Sequence, residues 1–556
     1  MEAGTEPDRA PPRRARRSVT GVVLAVLMLG ASLDPSLLAR SWVFQGVLSG
    51  VGVAVGYALG AGVGALGQRL ADRLGWRGPR MGRGGAVVLA VLAGAWTVWV
   101  VVAAVDQHRW TWDRLGYSPT LTTTAYAGAL LLAVAVAAVL AVLGLLARVV
   151  WSWVARLGAR WLPASVAAVL AAVVVGWAVL AAADTWVLQR TLDGMNAAFE
   201  ADDLEVDASA PDPPPADAPR SGTSASAVSW TDLGDQGRRF LSRGPDAAEV
   251  DDLAPAGAAP AVDPARVFVG RASAGTVEDR VGLAVAELDR LDAFERRAVL
   301  VVVPTGTGWV NEQIVAPVEH LLGGDVATVA VQYSHLPSPL AYLAEHDAAS
   351  RTGAATIEAV RDRIAALPAA DRPMLLVAGE SLGSFGGAQA FDDLDDMVAD
   401  VDRSLWIGAP EFMHLRRQAE ADREPGSTQV RPVVGDGEDV VVANRRSDLD
   451  GTSPRSVFLQ QADDPIVWWD WGTAVRRPDW LAEPLDPAVN PAMTWRPFST
   501  FANLTVDMAV GNDFDEDHGH LYGTQPLAAW TAMLAPPGWE AADVERLREH
   551  LARLER

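Results

Sequence analysis

Met374-Leu375-Leu376-Val377-Ala378-Gly379-Glu380-Ser381-Leu382-Gly383 decides how this chain is read. An apolar run enters Gly-x-Ser-x-Gly with nothing between. A short buried strand, a sharp turn carrying one serine and a following helix produce this pattern. The turn is tight, so small residues must flank the serine. Gly379 and Gly383 supply the room, and Gly386-Gly387 lets the next helix pack closely. Ser381 is therefore a candidate nucleophile. The pattern also occurs by chance in a chain this rich in Gly and Ala, so its surroundings must support it.

The surroundings alternate short apolar runs with helical patterns. Strands are predicted at Val267–Val269, Val299–Val303, Val326–Gln332, Met374–Ala378, Ser404–Ile407, Val457–Gln460 and Leu504–Ala509. Helices are predicted at Val277–Glu295, Ala348–Ala366, Ser384–Val398, Leu527–Leu534 and Asp543–Leu554. This alternation implies an α/β fold, a mostly parallel sheet with helices on both faces. Function then collects at the C-terminal ends of the strands. Beyond Val457–Gln460 comes Asp463-Asp464-Pro465. Beyond Leu504–Ala509 comes Asp517-His518-Gly519-His520. The order Ser381, Asp464, His520 is the Ser…Asp…His order of α/β-hydrolases.

The residue types suit acyl chemistry. A serine hydroxyl is a weak nucleophile until an imidazole takes its proton. A carboxylate fixes the imidazole tautomer and stabilises the imidazolium. The oxyanion needs two aimed donors. Leu382 N–H is one candidate, and Gly306 or Thr305 in Pro304-Thr305-Gly306-Thr307-Gly308-Trp309 is the other. Asp463 competes with Asp464 as the acid, and His518 competes with His520 as the base. The stretch Asp513-Phe514-Asp515-Glu516-Asp517 begins like a calcium loop. His518 stands where that loop needs Gly, and Thr524 where it needs Glu, so no metal and no cofactor are expected. Trp468-Trp469-Asp470-Trp471 reads as core packing, with an acyl-pocket wall or lipid contact as alternatives.

Charge divides the chain. Residues 1–188 hold 16 Arg and 8 acids, whereas the remainder holds 30 Arg and 61 acids. The acidic part argues against nucleic-acid binding, which needs a basic face. Every basic residue is Arg, as codon bias in a high-GC genome would give. The absence of Cys excludes disulfides, thiolate catalysis and cysteine metal sites.

Five apolar stretches precede residue 190: Val19–Leu38, Trp42–Leu66, Ala86–Val105, Leu121–Ala147 and Leu162–Leu188. Most reach the roughly 20 residues needed to span a bilayer. Asp34-Pro35 interrupts the first, for which a cleaved signal peptide is the competing reading. With five spans, the Arg-rich segments all fall on one side. The N-terminus is then cytoplasmic and the chain after residue 189 extracytoplasmic. Gly52, Gly56, Gly60 and Gly64 leave one face of the second span bare for close packing. Packing within the bundle is the first reading, and a homo-oligomer through that helix is the alternative. Gly62-Val63-Gly64-Ala65-Leu66-Gly67 matches a dinucleotide fingerprint but follows no strand, so it is rejected. Asp34, Asp106 and Asp184 lie near span ends, which favours an anchor over a transporter.

The expected organisation is a cytoplasmic N-terminus (1–18), a membrane domain (19–188), a disordered acidic, Pro-rich linker (189–228) and a catalytic domain (229–556).

Several motifs also carry a resemblance. They are Pro304-Thr305-Gly306-Thr307-Gly308-Trp309, Gly323-Gly324-Asp325, Gln332-Tyr333-Ser334 with Leu336-Pro337-Ser338, and Gly379 through Gly386. Asp464-Pro465-Ile466-Val467-Trp468-Trp469, His518-Gly519-His520 with Tyr522, Ser36-Leu37-Leu38 and Gln45-Gly46 complete the set. On these the chain resembles the actinobacterial membrane-anchored alpha/beta-hydrolases with an N-terminal multi-span domain, the alpha/beta-hydrolase family 9 type. Asp517 stands where that family usually has Gly. The resemblance implies an N-terminal bundle of transmembrane helices followed by an α/β-hydrolase fold with a serine triad.

The expected function is a membrane-anchored serine esterase acting on ester-linked lipid or acylated envelope components outside the cytoplasmic membrane. An envelope acyltransferase with the same triad is the variant. A non-catalytic membrane scaffold with a degenerate hydrolase domain is the alternative from another class.

Overall fold

A computed structural model describes residues 18–75, 83–115, 123–181, 189–206, 211–511 and 517–554. The basic terminus before residue 18, Arg77, Arg80, residues 182–188 of the fifth apolar stretch and the acidic stretch Asp513–Glu516 lie outside them. The chain divides into two units. The first comprises 1–35, 39–113 and 118–168, and the second 36–38, 114–117 and 169–556.

The first unit is helical. Among the described residues three helices are long and apolar enough to cross a membrane: Trp42–Arg73, Val87–Arg114 and Ala125–Gly158. Val19–Ala31 is shorter, because Ser32 caps it before Asp34-Pro35. The glycine face of Trp42–Arg73 is occupied from within the chain. A Cβ at Gly56 would lie 2.6 Å from Leu24 O, and one at Gly60 would meet Thr20 O. A Cβ at Gly50 would lie 2.7 Å from Ala133 O. Small residues here let helix backbones approach closely. The fifth apolar stretch begins a helix at Ala164–Ala181, which crosses the boundary between the units.

The second unit is built on seven parallel strands: β1 Ala265–Val269, β2 Ala298–Val303, β3 Val326–Val331, β4 Met374–Glu380, β5 Arg403–Ile407, β6 Val440–Ala443 and β7 Ser456–Leu459. Their order is β1-β3-β2-β4-β5-β7-β6. The central strands are apolar because both faces are covered. Every residue of β2 and β3 is buried. Each buried Val or Leu contributes roughly 1.5–3 kcal/mol relative to exposure. Helices Val277–Arg290, Ser338–Ala365 and Leu382–Ala388 pack as one group. Glu312–Leu321, Gln525–Leu534 and Ala541–Leu554 form another. The register aligns the strand ends: Val303 pairs with Gly379, Glu380 with Ile407, and Ile407 with Leu459. The loops after β2, β4, β5 and β7 therefore leave the same edge together.

Several elements differ from expectation. Leu504–Ala509 is not a strand but part of helix Ser499–Met508. Its buried residues Thr500, Asn503, Leu504 and Asp507 recur at helical spacing. Buried Asp507 accepts from the N–H groups of Leu37 (3.1 Å) and Leu38 (3.4 Å), and from Ser36 Oγ. The strand missing from the expected set is β6, at the sheet edge. The helix expected over Ser384–Val398 breaks after Ala388 and restarts at Leu394, capped by Asp393.

The segment 189–228, expected to be a disordered linker, contains helix Gln189–Leu204 and a stretch that folds onto the sheet. Arg220 bridges to Arg266 of β1, and Ser221 and Val228 are buried. Glu287 accepts from Ala227 N–H at 2.8 Å and from Ser226 Oγ at 2.8 Å. Pro- and Asp-rich composition reports a poor core former, but it does not report pairing with a strand edge.

Candidate active site

Ser381 follows β4 directly and precedes helix Leu382–Ala388 with φ 56°, ψ −121°. A positive φ is strained for any residue with a Cβ. Its neighbours enforce the turn. A Cβ on Gly379 would lie 2.7 Å from Gly383 C, and one on Gly383 would meet Val303 O. Ser381 N–H donates to Ile407 O at 2.8 Å. Ser384 Oγ donates to Gly379 O at 2.7 Å, tying the first helical turn to the strand below. Ser381 itself is 9% exposed.

One residue beyond Ile407 is Gly408, at φ +53°. A Cβ there would strike the His520 ring, 2.8 Å from Nδ1. His520 thus stands over the end of β5, the strand beside the one that presents Ser381. Neighbouring strands lie about 4.8 Å apart. The next strand, β7, leads into Asp463-Asp464. Asp464 is fully buried and caps Pro465–Trp468, accepting Ile466 N–H at 2.9 Å. Its other oxygen lies 2.7 Å from His520 Nδ1 and accepts the Tyr522 hydroxyl at 2.8 Å. His520 Nε2 is buried with no hydrogen-bond partner among the described residues. With Nδ1 held by a carboxylate, Nε2 is the nitrogen free to accept a proton.

The alternatives are paired with each other. His518 Nδ1 lies 2.9 Å from Asp463 Oδ2, and Gly519 N–H donates to Asp463 Oδ1 at 3.2 Å. Consecutive carboxylates thus hold alternate histidines. Gln461 adds to the junction by donating from its side chain to Leu521 O at 2.9 Å.

Burial disfavours the charged His520 imidazolium, but the Asp464 charge and hydrogen bond, with Glu380 assisting, outweigh it and raise the pKa above its ordinary value. Burial raises the Glu380 carboxyl, and Asp464 adds to this, while His520 and a hydrogen bond from Asn311 Nδ2 (3.1 Å) oppose it. Burial also raises the Asp463 carboxyl, against the pull of His518.

Of the expected oxyanion donors, Leu382 opens helix Leu382–Ala388, so its N–H has no acceptor within that helix. Gly306 is differently placed. Its N–H donates to Ser338 Oγ at 3.2 Å, and a Cβ there would lie 2.7 Å from Ser338 N. Thr305 N–H is engaged by Trp309 O at 3.1 Å. Trp468 is buried and packs on Trp480, as core packing predicts, whereas Trp471 is 69% exposed and clusters with Trp469 and Phe501. Sequence reasoning missed Glu380, Asn311, Tyr522 and Ser384 as parts of the site. Glu380 occupies the variable position of Gly-x-Ser-x-Gly, where the pattern has no information. Among the described residues no group of side chains is suited to hold a metal ion.

A parallel seven-stranded sheet, with a strained serine turn at the end of a central strand and a buried Asp–His pair over its neighbours, is consistent with an α/β-hydrolase fold. A model described as alpha/beta-hydrolase family matches residues 265–547, and one described as alpha/beta-hydrolase family N-terminus matches residues 33–245. The chain belongs to this alpha/beta-hydrolase family. No curated protein and no solved structure matches it.

Proposed function

We propose that the protein is a membrane-anchored serine hydrolase that cleaves carboxylic esters through an acyl-enzyme. Ser381 Oγ attacks the ester carbonyl while His520 Nε2 takes its proton. Asp464 holds the ring and stabilises the imidazolium. The Leu382 N–H donates to the oxyanion. Collapse expels the alcohol, which leaves with the proton from His520. Water then attacks the acyl-serine by the same route, releasing the acid and restoring the serine. The observation that carries this reading is the alignment at one sheet edge. Ser381 in its strained turn, His520 over Gly408 and Asp464 after β7 stand at the ends of the adjacent strands β4, β5 and β7.

The apolar helices of the first unit support anchoring, and the Arg distribution supports an extracytoplasmic catalytic domain. Ester-linked lipids or acylated envelope components are then the substrates at hand. A fluorophosphonate probe tests the reading. Wild type should be labelled and Ser381→Ala should not. Absence of labelling in folded wild type would count against a serine hydrolase. A reporter active only outside the cell, fused after residue 230, tests the orientation.

A further inference from the structure

A cavity of about 660 Å³ opens at the same edge of the sheet but toward β1. Its walls come from the residues after β1, from His335 after β3, and from the first half of helix Ser338–Ala365. In the order β1-β3-β2-β4 this is two to three strand spacings from Ser381, roughly 10–14 Å. Helix Ser338–Ala365 departs from helical geometry at Glu345 (φ −141°, ψ 31°), which lines the cavity.

The cavity concentrates guanidinium groups. Arg271, Arg280 and Arg351 all line it. Arg271 pairs with Glu345 at 3.2 Å, which neutralises one of the three. Arg280 is 4% exposed, yet it forms no ion pair among the described residues. Its Nη1 donates to Ala274 O at 3.0 Å, while its Nε is buried without an acceptor. A buried, unpaired guanidinium is costly unless something anionic meets it. The second observation is the start of helix Val277–Arg290, because Gly275, Thr276 and Val277 line the same cavity. Thr276 Oγ1 accepts Asp279 N–H at 3.0 Å, and Arg280 N–H bonds Thr276 O. Val277 and Glu278 N–H have no acceptor within the helix. A 14-residue helix presents partial positive charge and free N–H groups there, the arrangement that binds phosphate groups. The acids Glu200, Glu278 and Asp347 also line the cavity but are solvent-exposed. Arg280 is thus the deeply buried cation of the cavity, while Arg351 and these acids lie at its exposed rim.

We propose that this cavity binds a phosphate-type oxyanion, and that its outer acids favour a phosphoester carrying a cationic substituent over a polyanion. Guanidinium suits the role because it meets phosphate oxygens with two parallel N–H donors. The shared chemistry is found in a zwitterionic lipid headgroup and in a soluble phosphoester. The site does not depend on the esterase reading, because its ligand is recognised by charge rather than by reaction.

The test is calorimetric titration of the full chain in detergent with O-phosphoethanolamine and with inorganic phosphate. Nanodiscs with or without phosphatidylethanolamine form a separate arm. Saturable binding of O-phosphoethanolamine is expected, tighter than that of inorganic phosphate. At least tenfold weakening is expected in both Arg280→Gln and the more exposed Arg351→Ala. Arg351→Ala keeps the test decisive if Arg280→Gln fails to fold. Tighter binding to the phosphatidylethanolamine nanodiscs than to the soluble ester identifies the lipid as the source, and equal or weaker binding identifies the soluble ester. No saturable binding to wild type in any arm, or binding unchanged by folded Arg351→Ala, overturns the proposal.

Discussion

His520 Nδ1 lies 2.7 Å from Asp464 Oδ2, and both residues are almost completely buried. The pair engages Nδ1 and leaves Nε2 unpaired among the described residues, so the ring can take a proton only at Nε2. Asp464→Asn replaces an acceptor-only group with an amide that can present N–H to the ring, favouring the wrong tautomer. Ester hydrolysis should fall by about 10³–10⁴-fold with little change in KM. Hydrolysis of a p-nitrophenyl ester measures this. Retention of more than a tenth of wild-type kcat would remove Asp464 from the mechanism.

The two Asp–His pairs give a direct comparison. His518 is 20% exposed and belongs to Asp463, whereas His520 stands over β5 beside the serine-bearing strand. His520→Asn should abolish measurable turnover and strongly slow fluorophosphonate labelling. On the proposed mechanism His518→Asn should lower kcat by only about tenfold, because it removes the His518–Asp463 pair and leaves His520 in place. The reverse ranking would exchange their roles.

Much of this arrangement was legible in sequence, and the errors have physical causes. Met374 to Gly383 exposed its strand, turn and helix because each local requirement sits in consecutive residues. Chain order points to Asp464 and His520, which the structure pairs at 2.7 Å, but the strand expected before His520 is a helix. Leu504-Thr505-Val506 has high β propensity, yet Leu504 packs with Thr500, Asn503 and Asp507 on one helical face. The edge strand Val440–Ala443 is four residues long, too short to stand out between charged neighbours. Glu380 is invisible to the motif, and its link to Asn311 spans 69 residues. Gly306 is required by packing, since an added Cβ would meet Leu336 O and Ser338 N, contacts that a local motif does not report.

The raised pKa of His520 sets the pH dependence. The base must be neutral to accept the serine proton, so kcat/KM should rise with pH to a midpoint above 6.5. Stability runs the other way. A group whose folded pKa is raised contributes fully below its unfolded value near 6.5, and that contribution is lost as pH rises through the folded value. Glu380 assists in raising His520, so Glu380→Gln should lower the kinetic midpoint. A wild-type midpoint at or below 6.5, or an unmoved midpoint in Glu380→Gln, would contradict this account.

Gly408 offers a steric test of the same placement. Its φ of +53° disfavours any side chain by about 1–2 kcal/mol. That cost falls on the strand end and should lower the melting temperature only modestly. The larger effect is local, since an added Cβ would meet the His520 ring 2.8 Å from Nδ1 and leave the imidazole no room in its present position. The ring must shift or tilt, and a displacement near 1 Å costs about 10²-fold in rate. Gly408→Ala should therefore remain folded by circular dichroism while losing about two orders of magnitude in kcat. Fluorophosphonate labelling should slow in parallel, because it uses the same base. A folded Gly408→Ala with wild-type labelling would show that His520 does not work from its place above β5.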